Sequence, residues 1–364
     1  MLFISMSADG LHCNTFASIA EFRSHCANVE FQDHGLFSTL DWLALLESKV
    51  ISTKAVSLIC TARTDNVAKS LLPLQISYKR GIFNAQGLRS LSNYYSPLFS
   101  ECTVEDASGQ AALGFICRLL CQARPAWHWL DLEPLSQQGR DVLASSLKQN
   151  GFEVFPYFRF GNWYLRLQGR SFADYAKGLP AQLRNTIERK RKRLDKQGSW
   201  EIELFKGQEK LQTGIDAYWQ VYNTSWKQRE PYPEFIDGLI RLAAERNWLR
   251  LGVLFLDGQP IAVQLWLVYG GTASIYKLAY DERFKSLSPG SILSEQMFER
   301  AIDDDKVEEI DYLVGDEAYK RDWMSARRER WGLIAFNRST HTGRAMAAIE
   351  CIKRMFKPAL VDSQ

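Results

Sequence analysis

The chain has 364 residues, 46% of them hydrophobic and 24% charged, with 11 Trp and a net charge of +3. That composition excludes a disordered or fibrous protein, and the length suits two domains of roughly 150–200 residues each. Five His at positions 12, 25, 34, 128 and 341, with no HxxxH or HxH spacing, and seven Cys without a CxxC pair give no metal-ligand pattern and no disulfide framework. Cys117 and Cys121, one helical turn apart in an apolar segment, read as core thiols. The opening "MLFISMSADG" lacks the basic start and apolar length of a signal peptide, and no apolar run approaches 18 residues, so the expected location is the cytoplasm.

In chain order, "FSTLDWLALLESK" (37–49) has helical spacing with Ser38 or Thr39 as cap. "AVSLICTAR" and "LLPLQISYK" read as strands joined by the polar "TDNVAKS", and "LRSLSNYYSPLF" as a further extended run. A helix over "SGQAALGFICRLLCQ" and a strand at "WHWLDLE" follow. The second half repeats this order: "WLRLGVLFL", a turn at Asp257-Gly258, "PIAVQLWLVYGG", "TASIYKLAY", the helix "ILSEQMFERAI" and the strand "EEIDYLVG". "WLDL" (129–132) then stands where "IDYL" (310–313) stands, the signature of a degenerate internal duplication with its seam between Gly151 and Trp163.

Between the halves, "LRNTIERKRKRLDK" (183–196) carries seven basic residues against Glu188 and Asp195, while the whole chain is only +3. Attraction to polyanions is therefore focused on this helix, whose apolar stripe is Leu183, Ile187 and Leu194. It reads either as a solvated face or as an anion-collecting surface for CoA phosphates, a nucleotide-sugar, a lipid head group or tRNA.

After the strand ending at Tyr280, "SLSPGS" (286–291) leads into a helix without a bulky side chain between Ser288 and Ser291. A glycine-containing turn at a helix start directs free amides and the positive end of the helix dipole to one spot, which suits a pyrophosphate. Pro289 opens a helix without wasting a donor, Gly290 lacks a Cβ, and Ser288 and Ser291 add hydroxyls. The alternative is an ordinary capped helix start.

The ordered series "LRLGVLFLDGQPIAVQLWLVYGGTASIYKLAYDERFKSLSPGSILSEQMFERAI" and "EEIDYLVGDEAYKRDW" resembles the C-terminal half of CelD-like acetyltransferases, which are similar to the Fem-type aminoacyl transferases of the GNAT superfamily. The likeness covers about residues 35–335 and is densest after Ser171. It implies an α/β (α+β) fold of tandem GNAT-like domains, each a mixed, mostly antiparallel twisted sheet flanked by helices. The expected divisions are 1–155 (degenerate first domain), 156–345 (acyltransferase domain) and 346–364 (tail). The superfamily's phosphate loop has the form Gln/Arg-x-x-Gly-x-Gly/Ala, whereas this chain keeps the single Gly290.

The resemblance further implies acyl-CoA, acetyl-CoA foremost, as co-substrate, held at Leu287, Ser288, Gly290, Ser291 and Lys320, with an amine as acceptor, an amino sugar or an envelope or exopolysaccharide precursor. Tyr319 matches the superfamily's acid for the departing thiolate; packing of its ring is the other reading. Asp281, then Asp316, are candidates to take the amine proton, or else cap a turn or helix. Asp311 points to the core side as a structural partner. Lys277, odd within an apolar strand, either meets an anionic substrate or closes a salt bridge. Tyr276, Trp226 and Tyr95 are further candidates for the acceptor pocket, with core packing the alternative for Trp226. Transfer from aminoacyl-tRNA and a non-catalytic anion-binding module are the competing readings.

Overall fold

The computed structural model describes residues 5–8, 10–26, 28–29, 35–51, 55–64, 67–79 and 85–356. His34, part of the "TDNVAKS" link and residues 357–364 of the expected tail lie outside them. The chain packs as two compact units, Met1–Arg159 with Glu329–Gln364, and Phe160–Arg328.

The second unit is an antiparallel meander of Trp200–Phe205, Leu249–Leu256, Gln259–Tyr269 and Thr272–Tyr280. Its hairpins have the sequences that primed turns require: Asp257-Gly258 (φ 48° and 76°) and Gly270-Gly271 (φ 52° and 73°). Gln259–Tyr269 is buried almost throughout because both of its faces are covered. Ala262, Gln264 and Trp266 face the helix Pro289–Glu299, and Val263, Leu265 and Leu267 alternate to the face on which the helix Leu211–Asn223 packs. Thr272–Tyr280 continues into a parallel pairing with Glu309–Asp311, which pairs antiparallel with Tyr164–Arg166. The helices Phe172–Lys177 and Ala181–Leu194 precede this sheet; Ser171 caps the first by accepting from the Asp174 amide at 3.2 Å.

The first unit has the same plan. Leu11–Phe16, Ser57–Thr64, Val67–Lys79 and Ala85–Ser90 are antiparallel neighbours, Ala85–Ser90 pairs parallel with Trp129–Leu135, and the helices Ala107–Gln122 and Gln137–Gln149 flank that crossover. Thr39 caps the helix Leu40–Lys49, while the extended run expected at 88–99 is a strand only to Ser90, after which the Ser90 and Ser92 hydroxyls anchor a loop on the Glu133 carbonyl. Cys117 and Cys121 are buried free thiols in the core.

Both repeats therefore run strand, two helices, three strands, helix, strand, helix, strand. Their last strands are exchanged. The end of Phe152–Arg166, which closes the first repeat, pairs within the second unit, and Trp331–Phe336 of Ala326–Asn337 pairs with Trp129–Leu135 in the first. The sequence expectation carried the second domain to 345, and this pairing is why Glu329 onward packs with the first unit instead.

Among the described residues no helix is long and apolar enough to cross a membrane, and no group of three or more His, Cys, Asp or Glu could hold a metal ion.

Candidate active site

The parallel pairing that begins at Thr272↔Glu309 ends at Ser274↔Asp311. Beyond it the two strands part, and a cavity of about 490 Å³ opens, walled by Leu278 to Tyr280, by Tyr312, by the start of the helix Pro289–Glu299 and by the helix Ala318–Trp323. Trp226 and Leu183 complete the wall.

Ser288, Gly290 and Ser291 all reach this cavity, and Leu287 is buried in the core beneath. The left-handed backbone falls on Ser288 (φ 51°, ψ 50°), not on Gly290. A Cβ at Gly290 would make an ordinary contact with Tyr280 Cδ1 at 3.4 Å, so the protein itself does not demand glycine there. Among the described residues the Gly290 N–H has no acceptor, whereas the Ser291 and Ile292 amides turn back to the Ser288 carbonyl at 3.1 and 3.3 Å. The donors offered to an anion are thus one amide, the Ser288 and Ser291 hydroxyls and the Lys285 ammonium at the wall, fewer amides than a glycine-rich loop would present.

A polar chain runs from the sheet into this wall. Trp266 Nε1 donates to Gln264 Oε1 (2.8 Å), and Gln264 Nε2 donates to the Gly290 carbonyl (3.0 Å) and to Ser294 Oγ (2.7 Å). Ser294 in turn bonds the Tyr312 phenol, which burial holds protonated far above the ordinary tyrosine range. Tyr319 meets Tyr312 edge to face at 5.8 Å, and burial, then the charge of Glu317, push its phenol up to about 12. Trp226 lies against Tyr280 at 4.4 Å with Lys227 over its indole at 5.4 Å. Asp322 is the acidic side chain among the cavity's walls.

The remaining expected residues stand elsewhere. Asp281 caps the turn Glu282–Leu287 and is clasped by Arg283 (2.6 and 3.0 Å), which holds its carboxyl below the usual range. Asp316 is likewise held low by Arg327 at 2.7 Å and accepts from Trp163 Nε1 at 2.7 Å. Lys320 is buried, donating to the Val314 carbonyl at 2.5 Å and pairing with Glu317 at 2.8 Å. Lys277 pairs with buried Glu230 at 2.7 Å, and Tyr222 donates to the same carboxylate at 2.7 Å. Tyr276 is half-buried beneath the Lys277 ammonium, 5.9 Å from its ring. Tyr95 is buried in the first unit against Tyr94. Asp311 is a structural partner, accepting from Asn162 Nδ2 and the Leu313 amide and pairing with Arg328 at 2.5 Å. Gln264, Ser294, Tyr312, Lys285 and Asp322 were not singled out by sequence reasoning; Gln264 had a signal, a lone amide in an apolar strand.

Residues 181–321 match the family model of the acetyltransferase (GNAT) domain. That stretch is similar to GNAT domains. FemX, 11% identical with a TM-score of 0.58, shares the fold over 89% of this chain and 98% of its own. A conserved protein of unknown function from Bacteroides thetaiotaomicron does so at 13% identity and a TM-score of 0.56, over 88% and 97%. At these identities the likeness speaks for the fold alone. No curated protein matches the sequence. The fold class is thus the mixed, mostly antiparallel one of GNAT proteins, and the domain's parted strands lie where the cavity opens.

Proposed function

We propose that the chain is an N-acyltransferase that moves an acetyl or other acyl group from an acyl-CoA to an amine, with an amino sugar or an envelope or exopolysaccharide precursor as acceptor. The observation that carries this reading is the cavity at the parting of Thr272–Tyr280 from Glu309–Asp311, with the unbonded Gly290 N–H at one side and Tyr319 at the other. Gly290, Ser288, Ser291 and Lys285 would hold the donor's phosphates.

A lysine-like amine is protonated at neutral pH, and reaching its neutral form costs on the order of 4–5 kcal/mol. Asp322 is placed to take that proton better than Asp281 or Asp316, whose lone pairs are committed to Arg283 and Arg327. The amine nitrogen then forms its bond to the acyl carbon, the carbon–sulfur bond breaks, and Tyr319 gives its proton to the sulfur. The second proton, shed as the nitrogen becomes an amide, passes through water to the Tyr319 phenolate, and the proton on Asp322 is lost to solvent.

Calorimetry tests donor binding. Wild-type protein is expected to give saturable heat with acetyl-CoA, and Gly290→Glu to weaken it at least about tenfold by setting a carboxylate among the phosphates, a loss of about 1.4 kcal/mol. Gly290→Ala serves as a folded control, since a helical Ala costs nothing in propensity and its Cβ has room. Undiminished binding to Gly290→Glu, or no heat with the wild type, overturns the assignment.

A second donor, aminoacyl-tRNA, is favoured by one observation. The outer face of Ala181–Leu194 presents Arg189, Lys192 and Arg193 beside Lys196 around a shallow concavity of about 430 Å³, while Lys190 and Arg191 turn inward to Ser286 and Glu295. If that face holds phosphates, replacing Arg189, Lys192 and Arg193 by Gln lowers tRNA affinity and reduces the salt slope by about 2–3. Unchanged tRNA binding in a filter assay removes this reading.

A further inference from the structure

We infer that the first unit carries a ligand site of its own, a cavity built for a small molecule bearing a primary ammonium group, with the buried Glu101 carboxylate as counter-ion. This site goes beyond the acyl-transfer reading and does not rest on it.

The cavity, about 470 Å³, lies between the segment 98–105, which includes the short strand Cys102–Thr103, the helix Ala107–Gln122 and the start of the helix Gln137–Gln149. The helices Ala107–Gln122 and Gln137–Gln149 hold in this repeat the places that Pro289–Glu299 and Ala318–Trp323 hold around the cavity of the second unit. The wall of the first unit's cavity is acidic, whereas that of the second unit's cavity holds one Lys and one Asp. Two carboxylates, Glu101 and Glu105, stand in the wall with Ser100, Gln110 and Gln138, and no Lys, Arg or His lines it among the described residues. A phosphate-bearing ligand is unwelcome there; a cation is not.

Glu101 has no evident structural duty. It is 7% exposed, yet its Oε2 has no hydrogen-bond partner. The oxygen lies near the helix start, 3.8 Å from where a Cβ on Gly139 would be, but the Gly139 amide already donates to Ser136 Oγ at 3.0 Å. Leaving a buried carboxylate oxygen unpaired is costly, and burial pushes this carboxyl up to about 7. An ammonium, with three donors and a full charge, pairs with the carboxylate where Glu101 lines the cavity and returns it to its ionised form. The polar walls can hold hydroxyl or amide groups on the remainder of the ligand. Of the titratable groups around it, Glu105 adds negative charge, and the Cys117 thiol, on the packed helix, is driven up by burial and stays neutral.

The test uses the full chain with ethanolamine, putrescine and cyclohexylamine, each against its neutral counterpart, ethylene glycol, 1,4-butanediol and cyclohexanol. Calorimetry should show saturable binding of at least one amine, at least about tenfold tighter than its alcohol. Affinity should fall about tenfold from pH 8 to pH 6, as a carboxyl titrating near 7 loses its charge. Glu101→Gln should abolish binding, and Val142→Trp should do so by filling the cavity with Glu101 intact. Binding of none of the amines, or equal binding to Glu101→Gln, overturns the proposal. Acetyl-CoA heat should be the same in wild type and Glu101→Gln, so this site and the acyl-transfer reading fail separately.

Discussion

Tyr319→Phe is expected to lower turnover by about 10²–10⁴-fold while changing donor affinity less than about twofold. The phenol is placed to act late in the reaction, when negative charge develops on the departing sulfur, and contributes little to the ground state. With its pKa pushed up to about 12, Tyr319 remains protonated across the neutral range, as the proposed acid must be. The sign of the pH profile follows. A raised pKa keeps the acid form in place as pH rises, so no alkaline limb from Tyr319 belongs below roughly pH 11. Tyr319→Phe should leave any acidic limb of the profile where it was. Tyr312→Phe is the comparison: that phenol is buried and tied to Ser294, so its loss should act through the position of Tyr319 and cost less. Steady-state rates with acetyl-CoA and a panel of amines, read by thiol release, measure both. An unchanged rate in Tyr319→Phe, or a larger loss in Tyr312→Phe, removes Tyr319 as the acid.

What the sequence discloses here is local chemistry. Asp257-Gly258 specifies its hairpin because both residues tolerate positive φ, and Ser288-Pro289 marks a helix start because proline suits the first helical turn. Pairing is another matter. Asp281, Asp316 and Lys320 read as available charges, and whether they are depends on Arg283, Arg327 and the Val314 carbonyl, whose reach is a matter of turn geometry. Strand exchange was illegible for the same reason: nothing within Arg330–Asn337 distinguishes pairing with Trp129–Leu135 from closing the second repeat's own sheet. Glu101 hides best of all. In "LFSECTVED" it looks like any surface acid, and only the loop's path over the start of Gln137–Gln149 buries it.

Asp305→Ala is expected to destabilise the second unit by about 3–5 kcal/mol, the usual cost of removing one partner from a buried ion pair. Asp305 receives Arg250 through Nε at 2.8 Å and Nη2 at 2.8 Å, and the two side chains are 7% and 10% exposed. Without the carboxylate, the guanidinium keeps only the Leu249 and Asn247 carbonyls at 2.7 and 3.2 Å, which accept hydrogen bonds but leave a whole charge uncompensated. Lys206, 3.6 Å from Asp305, loses a partner as well, but its exposed ammonium loses little. The pair fastens the π-helical turn Arg300–Asp304, and through it the helix Pro289–Glu299, to the strand Leu249–Leu256. Gly252 lets that helix approach so closely that a Cβ would meet Met297 Sδ. Loosening this end therefore shifts Gly290 and Ser294 at the other, and kcat/KM should fall along with the melting temperature, by roughly 10 °C for a unit of this size. Arg250→Met combined with Asp305→Leu removes both charges and should recover most of the stability. Thermal melts followed by circular dichroism distinguish these cases, and a double variant as unstable as Asp305→Ala would mean that packing of the turn, rather than the charge pair, sets the helix in place.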